Sequence, residues 1–510
     1  MQNTRTSNSK RNIITGVIGK IVGIILPFIN RTAILYILGA EYQGLSSLFT
    51  SILSVFNVME LGIGSAIVYL MYKPIVDNNN KMINSLLNFF KKTYIIIGIV
   101  ILILGIIVLP FLNVFINGDI NIDINIYILY AIYLFNSVSS YFFFAYRSTI
   151  LKAYQRSDII NTVQMWIKII ECIVQFIILI IFKNYYLYIL IIPIFSTLLN
   201  LIIAMKAKKI YPQHNPDGNI DCITKKELKK HVTGLIINKF GDIARNSFDS
   251  IIISSMLGLT MVAVYSNYYY IYSSLYGILL IITHSIMASV GNSIANESKL
   301  KNYNDFIKFN FIFTWITGFI SICMLCLYQP FMELWVGTEL MLSNFDMILF
   351  CLYFYLITAN CIRNTYFSGN GLWWKAKVDF IVEAILNLLL NFVLGYSFGV
   401  TGILLATIIT ILVFNFIRRT QILYKYYFTE FNINKFWKET TIYFVATILN
   451  ASICYYISSL INLSLILKLI TIVCICCILP NVIYFIIYRK REIFKTSFKW
   501  SLKIIKKGVK

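Results

Sequence analysis

Charge is what this sequence has least of. Of its 510 residues only 13% are charged, three are histidine and eight are proline, whereas 58% are hydrophobic and mean hydropathy is +0.75. Too few charged side chains remain to cover a water-soluble body of this size, which excludes a soluble enzyme or nucleic-acid-binding domain. Histidine is too scarce for a metal centre built on it. Cys323 and Cys326, and the group Cys474, Cys476 and Cys477, sit in apolar runs with no histidine or second pair nearby, so they read as small apolar side chains and no cofactor or metal is expected. The basic start, MQNTRTSNSKRN, is followed by no small-residue cleavage site, and Arg31 interrupts the apolar run behind it, so an uncleaved first helix is expected.

What the chain has instead is length of apolar run. Segments long enough to cross a hydrocarbon core about 30 Å thick recur through the sequence without the in-out alternation of a barrel, so they are helices of an all-α integral membrane protein. The expected spans are 13–38, 44–72, 93–112, 126–146, 158–182, 187–205, 233–257, 263–291, 309–328, 346–367, 376–394, 400–417, 441–459 and 465–488, about 14 transmembrane helices. Prolines 27 and 193 fall inside two of them and should bend them.

Net charge is +22. Lys and Arg gather in the termini and in alternate loops (73–92, 147–157, 206–231, 297–308, 363–377 and 418–440), whereas the opposite loops hold Lys183 beside Glu41, Asp119, Asp123, Glu333 and Glu339. By the positive-inside rule the basic set is cytoplasmic, both termini included, which requires an even number of crossings. The basic residues from Arg489 to Lys510 then lie on anionic membrane lipids, and nucleic acid is not an expected partner.

The polar stretch 206–232 divides six spans from eight, and two echoes relate the sides. Leu38-Gly39 matches Leu257-Gly258, and Arg147 matches Arg363, at nearly equal offsets. Two parallel six-helix bundles are expected, residues 1–205 and 233–420, with helices 13 and 14 (421–488) and a basic tail (489–510) appended.

Ionisable side chains cost roughly 2.5 to 3.5 kcal/mol at the bilayer centre, so those present should face a cavity or another helix. Their spacing agrees. Gln164, Lys168, Glu171 and Gln175 share one helical face, as do Asp242, Arg245 and Asp249, and Lys375, Asp379, Glu383, Asn387 and Asn391 form a slowly drifting stripe. Glu60 lies on a further stripe with Thr50, Ser54 and Asn57, and Arg31 and His284 stand inside their own spans. These residues either pair with one another between helices or line a cavity. The arginines and Lys168 make an anionic group such as phosphate the simplest complement.

The segments ILGAEYQGLSSLFTSILSVFNVMELGIGSAIVYLMYKPI (37–75), KAYQRSDIIN (152–161) and NLLLNFVLGYSFGVTGILLATIIT (387–410) resemble the Wzx-type polysaccharide flippases of the MOP superfamily. The resemblance implies a MATE-like fold and a bacterial cytoplasmic membrane. It also implies a flippase, moving undecaprenyl-diphosphate-linked oligosaccharide repeat units between leaflets by alternating access. Arg31 and Arg245 match the basic positions that such flippases and lipid II flippases direct toward pyrophosphate. Thr32 after Arg31 departs from the lipid II flippase pattern, which has an acid there. The implied central-cavity set is Arg31, Glu60, Arg147, Lys168, Glu171, Asp242, Arg245, Asp249, His284, Arg363, Asp379 and Glu383, with H⁺ or Na⁺ as coupling ion and a polysaccharide polymerase or other assembly proteins as partners. Two other readings compete. A MATE-type multidrug antiporter shares the fold but has fewer helices and an acidic cavity. A membrane polymerase or glycosyltransferase would need a large outward loop, and the longest here, 329–345, carries no basic side chain.

Overall fold

The computed structural model describes residues 2–60, 63–118, 124–221, 228 and 247–508. All regular structure among them is helical, and contacts divide the chain into two compact units, Met1–Ser266 and Asn267–Lys510. Ten of the described helical segments are long and apolar enough to cross a membrane, or eleven if a bent pair is counted as one span.

Unit 1 holds α1 (Gln2–Ile37), α2 (Ala40–Phe56), α3 (Ile63–Val76), α4 (Asn80–Val108), α5 (Ile126–Phe142), α6 (Ser148–Ala153), α7 (Ser157–Phe182), α8 (Tyr185–Ile210), α9 (Ser247–Leu257) and the first residues of α10 (Leu259–Asn296). Asparagine caps start several of these helices. The Asn79 side chain accepts from the Met82 N–H, Asn125 from Tyr127 and Ile128, and Asn184 from Leu187, satisfying donors that apolar side chains could not. The short turn between α1 and α2 passes through Gly39 at φ 114°, and that between α9 and α10 through Gly258 at φ 85°. Both conformations favour glycine. The two halves of the Leu-Gly echo thus make the same turn.

Unit 2 continues with the rest of α10, then α11 (Lys299–Val336), α12 (Asn344–Ala359), α13 (Cys361–Gly369), α14 (Lys377–Thr410), a π-helical stretch Ile411–Arg418, α15 (Arg419–Tyr426), α16 (Ile433–Ser459), α17 (Leu465–Tyr488) and α18 (Glu492–Gly508). α14 contains two expected spans, joined by a bend at Gly399 (φ 59°, ψ −135°). A Cβ on Gly402 would stand 1.9 Å from the Leu394 carbonyl oxygen, so the chain folds back on itself only because that position is bare. α16 and α17 pack on α11 through a core including Phe311, Ile322, Cys326, Tyr443 and Cys476. The cysteines of the expected clusters are free, and Cys326 and Cys476 are core residues.

Three local features differ from the sequence-based spans. Residues 80–92, expected in a basic loop, are the opening turns of α4. Expected span 44–72 is broken, α2 giving way to a 3₁₀ turn at Asn57–Glu60 before α3 begins. The tail after Arg489 is a helix. α1 and α8 continue through Pro27 and Pro193, as membrane helices tolerate.

Candidate functional site

The stripe on α7 faces a cavity of about 580 Å³ inside unit 1, walled by α1, α5, α7 and α8. Lys20, Asn136, Gln164, Lys168, Glu171 and Ser196 reach its surface. Gly19 and Gly23 of α1 also line it, and a Cβ at either would meet nothing within 4 Å, so bare backbone widens the space. Lys168 Nζ lies 2.7 Å from Glu171 Oε1, the carboxylate nearly buried (9% side-chain exposure) and the ammonium open to the cavity (40%). One turn on, the Gln175 side chain accepts from Asn30 Nδ2 at 2.7 Å and donates to the Tyr188 carbonyl, and the Cys172 thiol donates to Asn30 Oδ1. Two ammonium groups, one carboxylate and several amides therefore surround the space, leaving it net cationic. Asn136 Oδ1 is buried there without a hydrogen-bond partner among the described residues.

Arg31 donates from Nη2 to Ser266 Oγ at 2.6 Å, and Ser47 Oγ is 3.2 Å from the same hydroxyl. Ser47 and Ser266 are 219 residues apart, the offset of the Leu-Gly echo. Glu60 stands at the break between α2 and α3, where Tyr94 donates to one carboxylate oxygen at 2.6 Å and Tyr141 to the other at 2.7 Å. The break frees the Glu60 side chain from a regular helical face. Arg147 follows α5 in a short 3₁₀ turn, half-buried, with its Nη1 buried and unpartnered among the described residues. Asp249 is 1% exposed and accepts from the Tyr265 hydroxyl at 2.9 Å. Asp242 and Arg245 lie outside the described residues.

In unit 2 the expected residues take up different surroundings. His284 is exposed on α10. Glu383 is buried, accepting from Asn415 Nδ2 at 2.6 Å and lying 3.6 Å from Arg419 Nη2. Asn387 donates toward Thr407 and Thr410, and Asn391 toward Asn387. This α14 stripe is closed over by the segment that returns after Gly399. Asp379 pairs with Arg418 at 3.4 Å nearer the surface. Arg363 is 2% exposed, donating to Thr420 Oγ1 and the Ala359 carbonyl, with its guanidinium 3.9 Å from the centre of the Phe416 ring. Arg419 falls in the stretch 418–440 that reads as a basic cytoplasmic loop, so its spacing gives no sign of this pairing. The π-helical stretch that ends at Arg418 carries Asn415 and leads directly to it, and π-helical segments often mark functional or strained places.

Among the described residues no cluster of acids, cysteines and histidines could hold a metal. No family model and no curated protein matches the sequence. Solved structures do match. A lipid II flippase, MurJ, in its inward closed conformation aligns over 93% of this chain and 98% of its own, at TM-score 0.67 and 17% identity. A MATE multidrug resistance transporter of the MOP superfamily, inward-facing, aligns over 79% of this chain and 98% of its own, at TM-score 0.59 and 13% identity. A Vibrio cholerae MATE transporter covers 82% of this chain and 97% of its own, at TM-score 0.56 and 13% identity. The chain has the fold shared by the lipid II flippase and the MATE transporters of the MOP superfamily.

Proposed function

We propose that this protein is a flippase for undecaprenyl-diphosphate-linked oligosaccharide repeat units, serving surface polysaccharide assembly at the bacterial cytoplasmic membrane. The observation that carries the reading is one of length. The lipid II flippase aligns with 93% of the chain, whereas the MATE transporters align with 79% and 82% while nearly exhausting their own lengths. This chain therefore extends beyond the MATE body as the flippase does, and α16 to α18 supply an extension of about that size. A lipid carrier with a diphosphate headgroup also suits an interior supplied with Arg31, Arg147, Lys20 and Lys168.

In this reading Arg31 and Arg245 bind diphosphate, while Lys168, Glu171, Glu60, Asp242, Asp249, Arg147 and His284 border the translocation path. Arg363, Asp379 and Glu383 support that path by holding α13 to α15. Both termini are cytoplasmic, H⁺ or Na⁺ supplies the coupling, and the product passes to a polymerase.

The test is the leaflet distribution of lipid-linked oligosaccharide in cells with and without the protein. Accumulation of the intact unit on the cytoplasmic face in its absence is expected. Arg31→Ala should reproduce this defect, with loss of surface polysaccharide and normal membrane levels of the protein. An unchanged leaflet distribution in cells lacking a second such flippase would reject the reading and favour drug antiport.

A further inference from the structure

α18 continues from the last span as a two-faced helix. Phe494, Ser497, Phe498 and Ser501 recur at i, i+3, i+4 and i+7 and share one face, while Lys495 and Lys499 stand beside it. A helix of this kind ordinarily lies on a membrane surface with its apolar side in the acyl boundary. Here the apolar side turns instead toward the protein. Phe494 stacks on Trp315 of α11 at 5.8 Å between centroids, and Trp500 meets Phe309 edge-on at 5.1 Å. At the head of the helix, Arg491 is tied to Glu439 of α16 at 2.7 Å.

The docking is incomplete. Between α11, α17 and α18 remains a cleft of about 330 Å³, bordered by Phe311, Trp315, Phe485, Ser497, Phe498 and Ser501. That is about twice the size of an engineered apolar cavity of roughly 150 Å³ that takes up benzene. Phe485 and Phe498 on its rim are about half exposed, at 48% and 53%, so the cleft is open on one side. Ser497 on its floor is 2% exposed, and its Oγ has no hydrogen-bond partner among the described residues. On the same stretch of chain, Arg489, Lys490, Lys495 and Lys499 are exposed and outnumber the acids Glu492 and Glu439, the latter already paired with Arg491. An apolar slot beside a surplus of cations complements one kind of molecule, an amphiphile with an anionic head.

We propose that this cleft is a binding site for a resident anionic phospholipid. One acyl chain enters between Trp315, Phe485 and Phe498, and the phosphate rests on Lys495 and Lys499. The bound lipid completes the packing of α18 against α11 and α17. A membrane phospholipid is preferred over the transported lipid because the slot is short and phospholipid is the solvent always in contact with it. The site shares no lining residue with the Lys168 cavity and is independent of the transport reading.

The test uses the full-length protein in nanodiscs of phosphatidylcholine alone or mixed with phosphatidylglycerol, with retained lipid counted by native mass spectrometry after extraction. Retention of one phosphatidylglycerol per chain, favoured over phosphatidylcholine by about tenfold or more, is expected, since each nearby basic side chain contributes a factor of about five. Charge reversal at Lys495→Glu with Lys499→Glu should abolish the preference, and Ser501→Trp, which fills the slot, should abolish retention. Brominated phosphatidylglycerol should quench Trp315 in wild-type protein more than brominated phosphatidylcholine, an arm that needs no variant to fold; the Trp315→Phe difference isolates that signal. Equal retention or equal quenching by the two lipids overturns the proposal. So does displacement of phosphatidylglycerol by an equimolar lipid-linked diphosphate, which would assign the cleft to the transported substrate.

Discussion

Two helices of this protein carry similar polar stripes, and the two stripes meet opposite surroundings. On α7 in unit 1, Lys168 and Glu171 border an open cavity. On α14 in unit 2, Glu383, Asn387 and Asn391 are sealed against the returning segment and bound to Asn415, Thr407 and Thr410. The echoed arginines divide in the same way, Arg147 half-buried with one nitrogen unpartnered among the described residues and Arg363 enclosed over Phe416. A shared sequence pattern can thus border an open cavity in one unit and form a fixed joint in the other. What separates them is how closely the facing segment approaches, since space remains between α1 and Lys168 whereas the bend at Gly399 brings Thr407, Thr410 and Asn415 onto the earlier part of α14.

This difference can be broken most directly at the two carboxylates. Glu383→Ala leaves the Arg419 guanidinium buried without its carboxylate and should cost about 3 to 5 kcal/mol, seen as a lower unfolding temperature of the purified protein. Glu171→Ala leaves Lys168 able to reach water in the cavity and should cost on the order of 1 kcal/mol. Equal losses would show that the cavity is not functionally open.

The arginines give a somewhat smaller contrast. Arg363→Ala removes a buried side chain with two hydrogen bonds and a ring contact, and about 2 to 4 kcal/mol of stability should go with it. Arg147→Ala should stay within about 0.5 kcal/mol in thermal unfolding, while reducing surface polysaccharide if its free nitrogen serves the substrate. A destabilised Arg147→Ala with normal polysaccharide would reverse its assignment.

The smallest effect concerns the segment after α8. His214 is fully buried between Tyr154 and Tyr211, its Nε2 is 2.8 Å from the Tyr154 hydroxyl, and Asn84 and Asn88 hold the backbone that follows. Burial lowers the His214 pKa, so the neutral ring belongs to the docked segment. The stabilisation is present above the ordinary value of about 6.5 and is lost as pH falls through the lower value of the docked state. Protection of the amides in residues 211–221, taken relative to the intrinsic exchange rate at each pH, should therefore be weaker at about pH 5.5 than at about pH 7.5, and His214→Gln should flatten that response. Equal protection at both pH values in the wild type would detach His214 from the docking.

Most of the fold was legible because burying backbone in lipid demands long apolar helices, which leave an unambiguous trace in composition. The Leu-Gly echo was legible for a different reason, since the turns at Gly39 and Gly258 need a positive φ. The polar stripes on α7 and α14 were also legible, because helical spacing fixes which side chains share a face. Their partners were not. Arg419 and Asn415 come from a segment more than thirty residues beyond Glu383, and Lys20 reaches the Lys168 cavity from α1, far back in the sequence.

The sequence by itself determined a helical membrane protein and the helix faces that carry charge, because hydropathy and helical period are local properties. Only the tertiary structure decided that Lys168 would look into a cavity while Glu383 would be locked to Arg419, and that Glu60 would sit at a helix break between two tyrosines. Those outcomes depend on which helices pack together, and packing is set by the shape of bare positions such as Gly402 as much as by charge.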